Sequence, residues 1–376
     1  MTNKERKIFT LIKKHPEITQ KEIAKRLNMT RTSVAVHITH IMEKGYILGR
    51  QYVIRKKPLI LVIGGSNIDI QGFPTNNFEL HNSNIGEINR TYGGVGRTIA
   101  VNSNRLVENT KLVTVLSNSK DGMDILEDLK KENVDVSDIL FSDKPMSMYL
   151  SIFDNKREMV SAISDMELVN ELTPEFLMNK DGLFEDAEII ALDTNLPQET
   201  LIYAANNKKE DQKIILDTVS AEKAKKITPI LDKIDVLKTN KIELEAIMGT
   251  PLKNIKSIKS ACKTLIDKNV KKIFVTLGEN GVIYANSKKI VKISNPKNIK
   301  VVDVNGAGDT FTAALIYAEL SKFNMEHMTK FAQCAAIYKI SKLGPSPKCF
   351  SLEKIKETIN TYYKDLDIKG EFLNEL

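Results

Sequence analysis

From residue 59 onward, short apolar runs recur at 59–63, 111–116, 187–192, 213–216, 235–237 and 272–276, separated by amphipathic stretches long enough to be helices. Runs that are apolar throughout are buried on both faces, and such strands belong to a parallel sheet covered by helices. The pattern predicts an α/β fold built on a doubly wound, mostly parallel sheet. Two stretches break it, at about 69–92 and 146–163. In the second, Tyr149, Ile152, Phe153, Met159 and Val160 have strand composition around a turn at Asp154-Asn155. We read both as a small β lid at the edge of the sheet, and a lid implies a ligand that must be shielded from water. No run approaches the roughly 20 apolar residues that cross a bilayer, so no membrane partner is expected. The first residues lack the apolar stretch of an export signal. Cys262, Cys334 and Cys349 have no C-x-x-C spacing. Three reduced thiols in a cytoplasm are the expectation.

Charge divides the chain. Residues 1–57 carry 14 Lys and Arg against 4 Glu, a net of +10, whereas the other 319 carry 41 against 44. Ile8, Phe9, Leu11 and Ile12 suggest a first helix that ends at His15-Pro16. Thr19 and Glu22 have capping-box spacing and open a second helix; Thr30 is placed to cap a third, with Val34, Ile38, Ile41 and Met42 inward and Gly45 as its stop. Residues 46–54 read as a two-stranded wing. The module at 1–57 resembles bacterial winged-helix regulators. That resemblance implies double-stranded DNA as a partner, Arg31, Thr32, Ser33 and His37 near the major groove, and Arg50 of the wing near phosphate. Paired half-sites would make the chain a homodimer. A small helical dimerisation module is the alternative reading.

In the larger part, at 58–376, the densest chemical signal is Asp303-Val304-Asn305-Gly306-Ala307-Gly308-Asp309, followed by an apolar helical run. Small residues at a helix start leave backbone N–H groups free to cradle phosphate. Asp309 then stands where a carboxylate can accept a proton from an attacking hydroxyl. A purely structural turn would use the same residues. Asn240 and Glu243 likewise have the spacing of a helix cap, and Asp69 lies just past the first run, at the sheet edge where open α/β folds bind ligands.

Taken in order, Gly93-Gly94-Val95-Gly96-Arg97-Thr98, Asn240-Lys241-Ile242-Glu243, Thr276-Leu277-Gly278 with Gly281, and the 303–316 segment resemble the motifs of the ribokinase-like (PfkB) carbohydrate kinases, over essentially all of 58–376. The resemblance implies ATP and Mg2+ as cofactors. It makes Asp309 the base, gives the amides of Gly306, Ala307 and Gly308 the transferred charge, and has Glu243 position magnesium through water. Asn240, Thr276, Gly278 and Gly281 would hold the nucleotide. Asp69, Asn67, Gly93, Gly94, Thr98 and Asn195 would meet the sugar. Asp303, with the backbone near Asn305 and Gly344, resembles a potassium site.

Within that family, the winged-helix fusion, the segment from Gly93 to Arg97 and the stretch at 159–166, including Asp165, are most similar to pseudouridine kinases. These phosphorylate the 5′-hydroxyl of the nucleoside with ATP. Phe153, Met148 and Met166 are candidates for an apolar wall beside its base. Thr98 stands where the family usually has Asn.

Overall fold

The computed structural model describes residues 1–15, 18–44, 46–47, 59–180 and 182–363. The chain divides into two compact units, Met1–Lys56 and Lys57–Leu376. In the first, α1 (Asn3–Lys14), α2 (Gln20–Leu27) and α3 (Arg31–Glu43) enclose Ile8, Ile23, Ala24, Val34, Ile38 and Ile41. Thr19 Oγ1 accepts the Glu22 N–H at 3.2 Å while the Glu22 carboxylate accepts the Thr19 N–H at 2.9 Å, so the expected capping box is formed. Gly45 and the wing, apart from Tyr46 and Ile47, lie outside the described residues, as does Arg50.

The second unit runs β1 (Leu59–Ile63), β2 (Asn67–Pro74), β3 (Gly86–Gly93), α4 (Val95–Val107), β4 (Thr110–Val113), β5 (Val115–Ser117), α5 (Lys120–Lys131), β6 (Leu140–Ser142), β7 (Met148–Phe153), β8 (Met159–Asp165) and α6 (Pro174–Met178). It continues through β9 (Ala187–Asp193), α7 (Gln198–Asn206), β10 (Lys213–Asp217), α8 (Ala221–Ala224), β11 (Val236–Asn240), α9 (Lys241–Met248), α10 (Ile255–Asp267) and β12 (Lys272–Thr276). The antiparallel edge β13 (Val282–Asn286) and β14 (Ile290–Ile293) and the helices α11 (Ala307–Leu320), α12 (Met325–Ile340) and α13 (Leu352–Tyr362) complete it.

Eight strands form the main sheet in the order β14-β13-β12-β11-β10-β9-β1-β4, parallel from β12 to β4. Ile60, Leu61, Ile190, Ile214, Leu216 and Leu237 are fully buried, as strands covered on both faces must be. The stretch 111–116, expected as one run, is broken at Thr114. Its hydroxyl donates to Ser66 Oγ at 3.0 Å, and β5 leaves the main sheet to pair with β6. The lid is a separate sheet ordered β3-β2-β7-β8. Its strand β8 is exposed at every residue, whereas β1 is buried at all but its first. Parallel order aligns the carboxyl ends of β1, β9, β10, β11 and β12, and the lid strand β2 starts from that edge.

Candidate active site

The head of α11 is shaped by Asp303. Its carboxylate accepts the Asn305 and Gly344 N–H groups, each at 2.9 Å, which fixes the loop ahead of the helix. Gly306 caps α11 with φ +76°, a left-handed conformation that favours glycine, and a Cβ there would strike the backbone of Pro345. The Ala307 N–H donates to the Val304 carbonyl at 3.2 Å. This corrects the expectation for Ala307, whose amide closes the turn. The amides of Gly308 and Asp309 have no backbone acceptor among the described residues, and they are the pair left to meet an anion.

Beneath them lies a buried cluster of charges. Asp217 pairs in register with Asp193 on one side and Lys238 on the other. Lys238 Nζ is 3.1 and 3.0 Å from the two Asp217 oxygens, and the Thr312 hydroxyl donates to Asp217 at 2.7 Å. A Cβ on residue 308 would lie 2.7 Å from Lys238 Nζ, so glycine there lets the helix head meet the ammonium. Burial pushes the Asp309 carboxyl up to about 8; Asp217 adds to the shift and Lys238 opposes it. Burial also raises Asp193 to about 6, against the N–H groups of Gly65 and Asn195. Burial acts to lower the Lys238 pKa, but Asp217, Glu243 and Asp309 outweigh it and raise it. A carboxyl tuned in this way suits a proton acceptor at neutral pH. Asp193, Asp217, Lys238 and Thr312 were not singled out from the sequence. The signal present was a charged residue at the end of an otherwise apolar run.

At the base of the lid, Asp69 accepts hydrogen bonds from Asn67 Nδ2 at 2.7 Å and Asn305 Nδ2 at 3.1 Å. Asn305 thus ties the lid strand to the loop ahead of α11. Burial raises the Asp69 pKa against these two amides. A Cβ on residue 93 would overlap the Asp69 carboxylate, which accounts for Gly93; Gly94 follows with φ +98°. Asn195 is buried nearby, its Oδ1 accepting from Lys223 at 2.6 Å. Thr98 is fully buried and its hydroxyl meets no partner among the described residues. Asp165 is also misplaced by the sequence reading. It pairs with Met148, which pairs with Ile68, and alternation along β2 puts that row on the face opposite Asp69. Met148 falls on the same far face. Tyr149 and the stacked rings of Phe73 and Phe153, 4.8 Å apart, occupy the Asp69 face instead.

Thr276, Gly278 and Gly281 line a cleft of about 560 Å³ together with Val282, Ile337 and the helix-head residues Ala307 and Gly308. Asn240 and Glu243 form the capping box that their spacing also allowed: Asn240 Oδ1 accepts the Glu243 N–H at 2.9 Å and Glu243 Oε2 accepts the Asn240 N–H at 2.9 Å. Glu243 Oε2 further accepts the Thr218 hydroxyl at 2.5 Å. Asp303 departs from a potassium site, because the buried Lys339 Nζ lies 2.8 Å from its carbonyl and 3.6 Å from its carboxylate. The donors present therefore already hold a cation and do not fit a second.

In the N-terminal unit, Arg31 and Thr32 are exposed and Ser33 is half-buried. His37 departs from the expected groove-facing row. Its Nδ1 is buried in a cluster with Glu5 and His40, on the flank of α3 that packs on α1. Five residues at about 100° each set His37 some 140° round the helix from Thr32.

Residues 57–350 match the pfkB family carbohydrate kinases and residues 1–47 match winged helix-turn-helix DNA-binding domains. The sugar kinase YeiI of Escherichia coli (strain K12) is 32% identical over 343 residues, 91% of this chain and 94% of that one. That alignment is longer than the larger unit, so the likeness runs into the N-terminal region. A pseudouridine kinase of the same organism is 30% identical over 281 residues, covering 74% of this chain and 90% of its own. A Clostridium perfringens structure described as a sugar kinase superposes with a TM-score of 0.70 at 31% identity, over 82% of this chain and 97% of that one. On this evidence the chain belongs to the pfkB family of carbohydrate kinases and carries an N-terminal winged helix-turn-helix region.

Proposed function

We propose that the chain transfers the γ-phosphoryl group of ATP to the 5′-hydroxyl of a nucleoside, and that the nucleoside is pseudouridine. The observation that carries the chemistry is the half-buried Asp309 at the head of α11, its pKa raised, beside Lys238 and two amides without a backbone acceptor among the described residues. Asp69, steadied by Asn67 and Asn305, accepts hydrogen bonds from two sugar hydroxyls. Gly93 and Gly94 let the backbone come close, and Asn195 borders the same edge. Asp309 takes the proton of the attacking hydroxyl as the new O–P bond forms and the bond to the β-phosphate oxygen breaks. The Gly308 and Asp309 amides and Lys238 face the charge of the group in flight. ATP occupies the cleft at Thr276, Gly278 and Gly281, with Asn240 at its rim.

Magnesium accompanying the nucleotide fits the donors present. Glu243 Oε1 accepts only Asn240 Nδ2, at 2.6 Å, among the described bonds, and keeps a lone pair for a metal-bound water. When bound, the ion neutralises phosphate charge.

For the substrate, support comes from the pseudouridine kinase relative and from Tyr149, Phe73 and Phe153, which give a flat apolar wall on the Asp69 face. Phosphorylation with magnesium-ATP should be compared across pseudouridine, uridine, inosine, ribose and fructose 6-phosphate, with the product located by phosphorus NMR. The proposal expects pseudouridine 5′-phosphate at the highest kcat/KM; a preference for ribose or fructose 6-phosphate overturns the substrate.

The N-terminal match and the +10 charge favour a second, compatible role: a homodimer that binds double-stranded DNA through Arg31, Thr32, Ser33 and Arg50, in response to the nucleoside. Full-length protein should then bind DNA with an affinity that falls steeply with salt and shifts with nucleoside. Binding that ignores the nucleoside removes the regulatory link.

A further inference from the structure

Asp303 shapes the loop that presents the Gly308 and Asp309 amides, and its negative charge is half-buried among backbone groups. The charge that answers it is already in the chain. Lys339, in the last turn of α12, is fully buried, with Nζ donating to the Asp303 carbonyl at 2.8 Å and lying 3.6 Å from its carboxylate. The same helix end grips the loop through its backbone, since the Val302 and Asp303 N–H groups donate to the Ile340 carbonyl. Burial lowers the Lys339 pKa, and Asp303 and Asp309 offset only part of that. An ammonium and a monovalent metal ion have the same charge and seek the same oxygen donors. Two of them on one half-buried carboxylate repel, because solvent screens them only in part.

We propose that the Lys339 ammonium is the resident monovalent cation of this enzyme, and that it replaces a potassium ion at Asp303. Lys339 is a positioning residue: it neutralises Asp303 and fixes the 303–306 loop, so phosphoryl transfer proceeds without potassium. The inference rests on the kinase reading above.

The test uses full-length protein in buffers whose only monovalent cation is either potassium or tetramethylammonium, which is too large for the site. Wild type should keep its rate within about twofold between the two, as expected when no charged contact changes. Lys339→Ala, which removes the charge and leaves room for an ion, should lose about tenfold in tetramethylammonium, the equivalent of one charge-assisted contact, and recover in potassium or ammonium. Lys339→Met, which fills the space without charge, should lose rate and not recover. Melting temperature gives a readout independent of substrate: potassium should stabilise Lys339→Ala and leave wild type unmoved. A potassium requirement in wild type overturns the proposal without any variant, and so does a Lys339→Ala defect that potassium leaves untouched. If no nucleoside is phosphorylated, the melting data still decide the cation question, so the two readings fail separately.

Discussion

The floor of the site and its lid are built on opposite physical terms. The floor places Asp193, Asp217 and Lys238 in the interior at the carboxyl edge of the main sheet, with the half-buried Asp309 beside them, and the proton affinities of Asp193, Lys238 and Asp309 are shifted. The lid holds Phe73, Phe153 and Tyr149 on a thin sheet whose outer strand β8 is exposed throughout. Buried charge is preorganised and strongly felt, and it costs stability. A sparsely packed sheet opens easily, and it suits substrate recognition and closure. The contrast assigns chemistry to the floor and selectivity to the lid.

Floor substitutions should therefore act on kcat and stability, and lid substitutions on KM. The largest effect is expected at Asp309: Asp309→Asn should lower kcat by at least about 10²-fold, the usual worth of a positioned base, with ATP affinity by calorimetry unchanged. Next, Lys238→Met strands Asp217 and should cost about 3–5 kcal/mol in denaturant unfolding, as breaking a buried pair does. Phe73→Ala removes one of two stacked rings and should raise KM for nucleoside by about tenfold, with kcat within about twofold and stability lowered by only about 1 kcal/mol. An equal fall in kcat would move the lid into the chemistry. The smallest effect is expected at Asp165. On the far face of the lid, Asp165→Asn should leave kcat/KM within about twofold, in line with surface changes away from a site; a tenfold loss would show that β8 turns over in the closed state.

Legibility followed the same divide. The parallel sheet was readable because a strand buried on both faces must be apolar, as 59–63 is throughout and 189–192 is after the exposed Glu188. The helix-head Asp309 was readable because the Gly306 turn leaves only small residues beside it. The N-terminal helices were readable from the apolar spacing of Ile8, Phe9, Leu11 and Ile12 for the first and from Thr19, Glu22 and Thr30 at capping positions for the other two. What escaped were properties of neighbours distant in sequence. Lys238 and Asp217 meet only once β10 and β11 align, and the Ala307 amide is committed by a turn that composition does not encode. Asp165 was misread because a strand's facing depends on register, and one residue reverses it. His37 was assigned to the groove from its place in α3, whereas its neighbour Glu5 lies 32 positions earlier, on α1.

The central claim is that Asp309 is an ionisable carboxylate kept partly buried for its chemistry at the expense of stability. A carboxyl whose pKa in the fold stands near 8, above the ordinary 3.8, binds its proton more tightly in the folded state. Its contribution to stability is complete below pH 4 and is lost as pH rises through 8. The decisive measurement is the melting temperature of Asp309→Asn minus that of wild type across pH 4 to 9. The account predicts a difference near zero at pH 4 that grows in favour of the variant and levels off above pH 8; a flat difference, or a variant that becomes the less stable protein as pH rises, would contradict it.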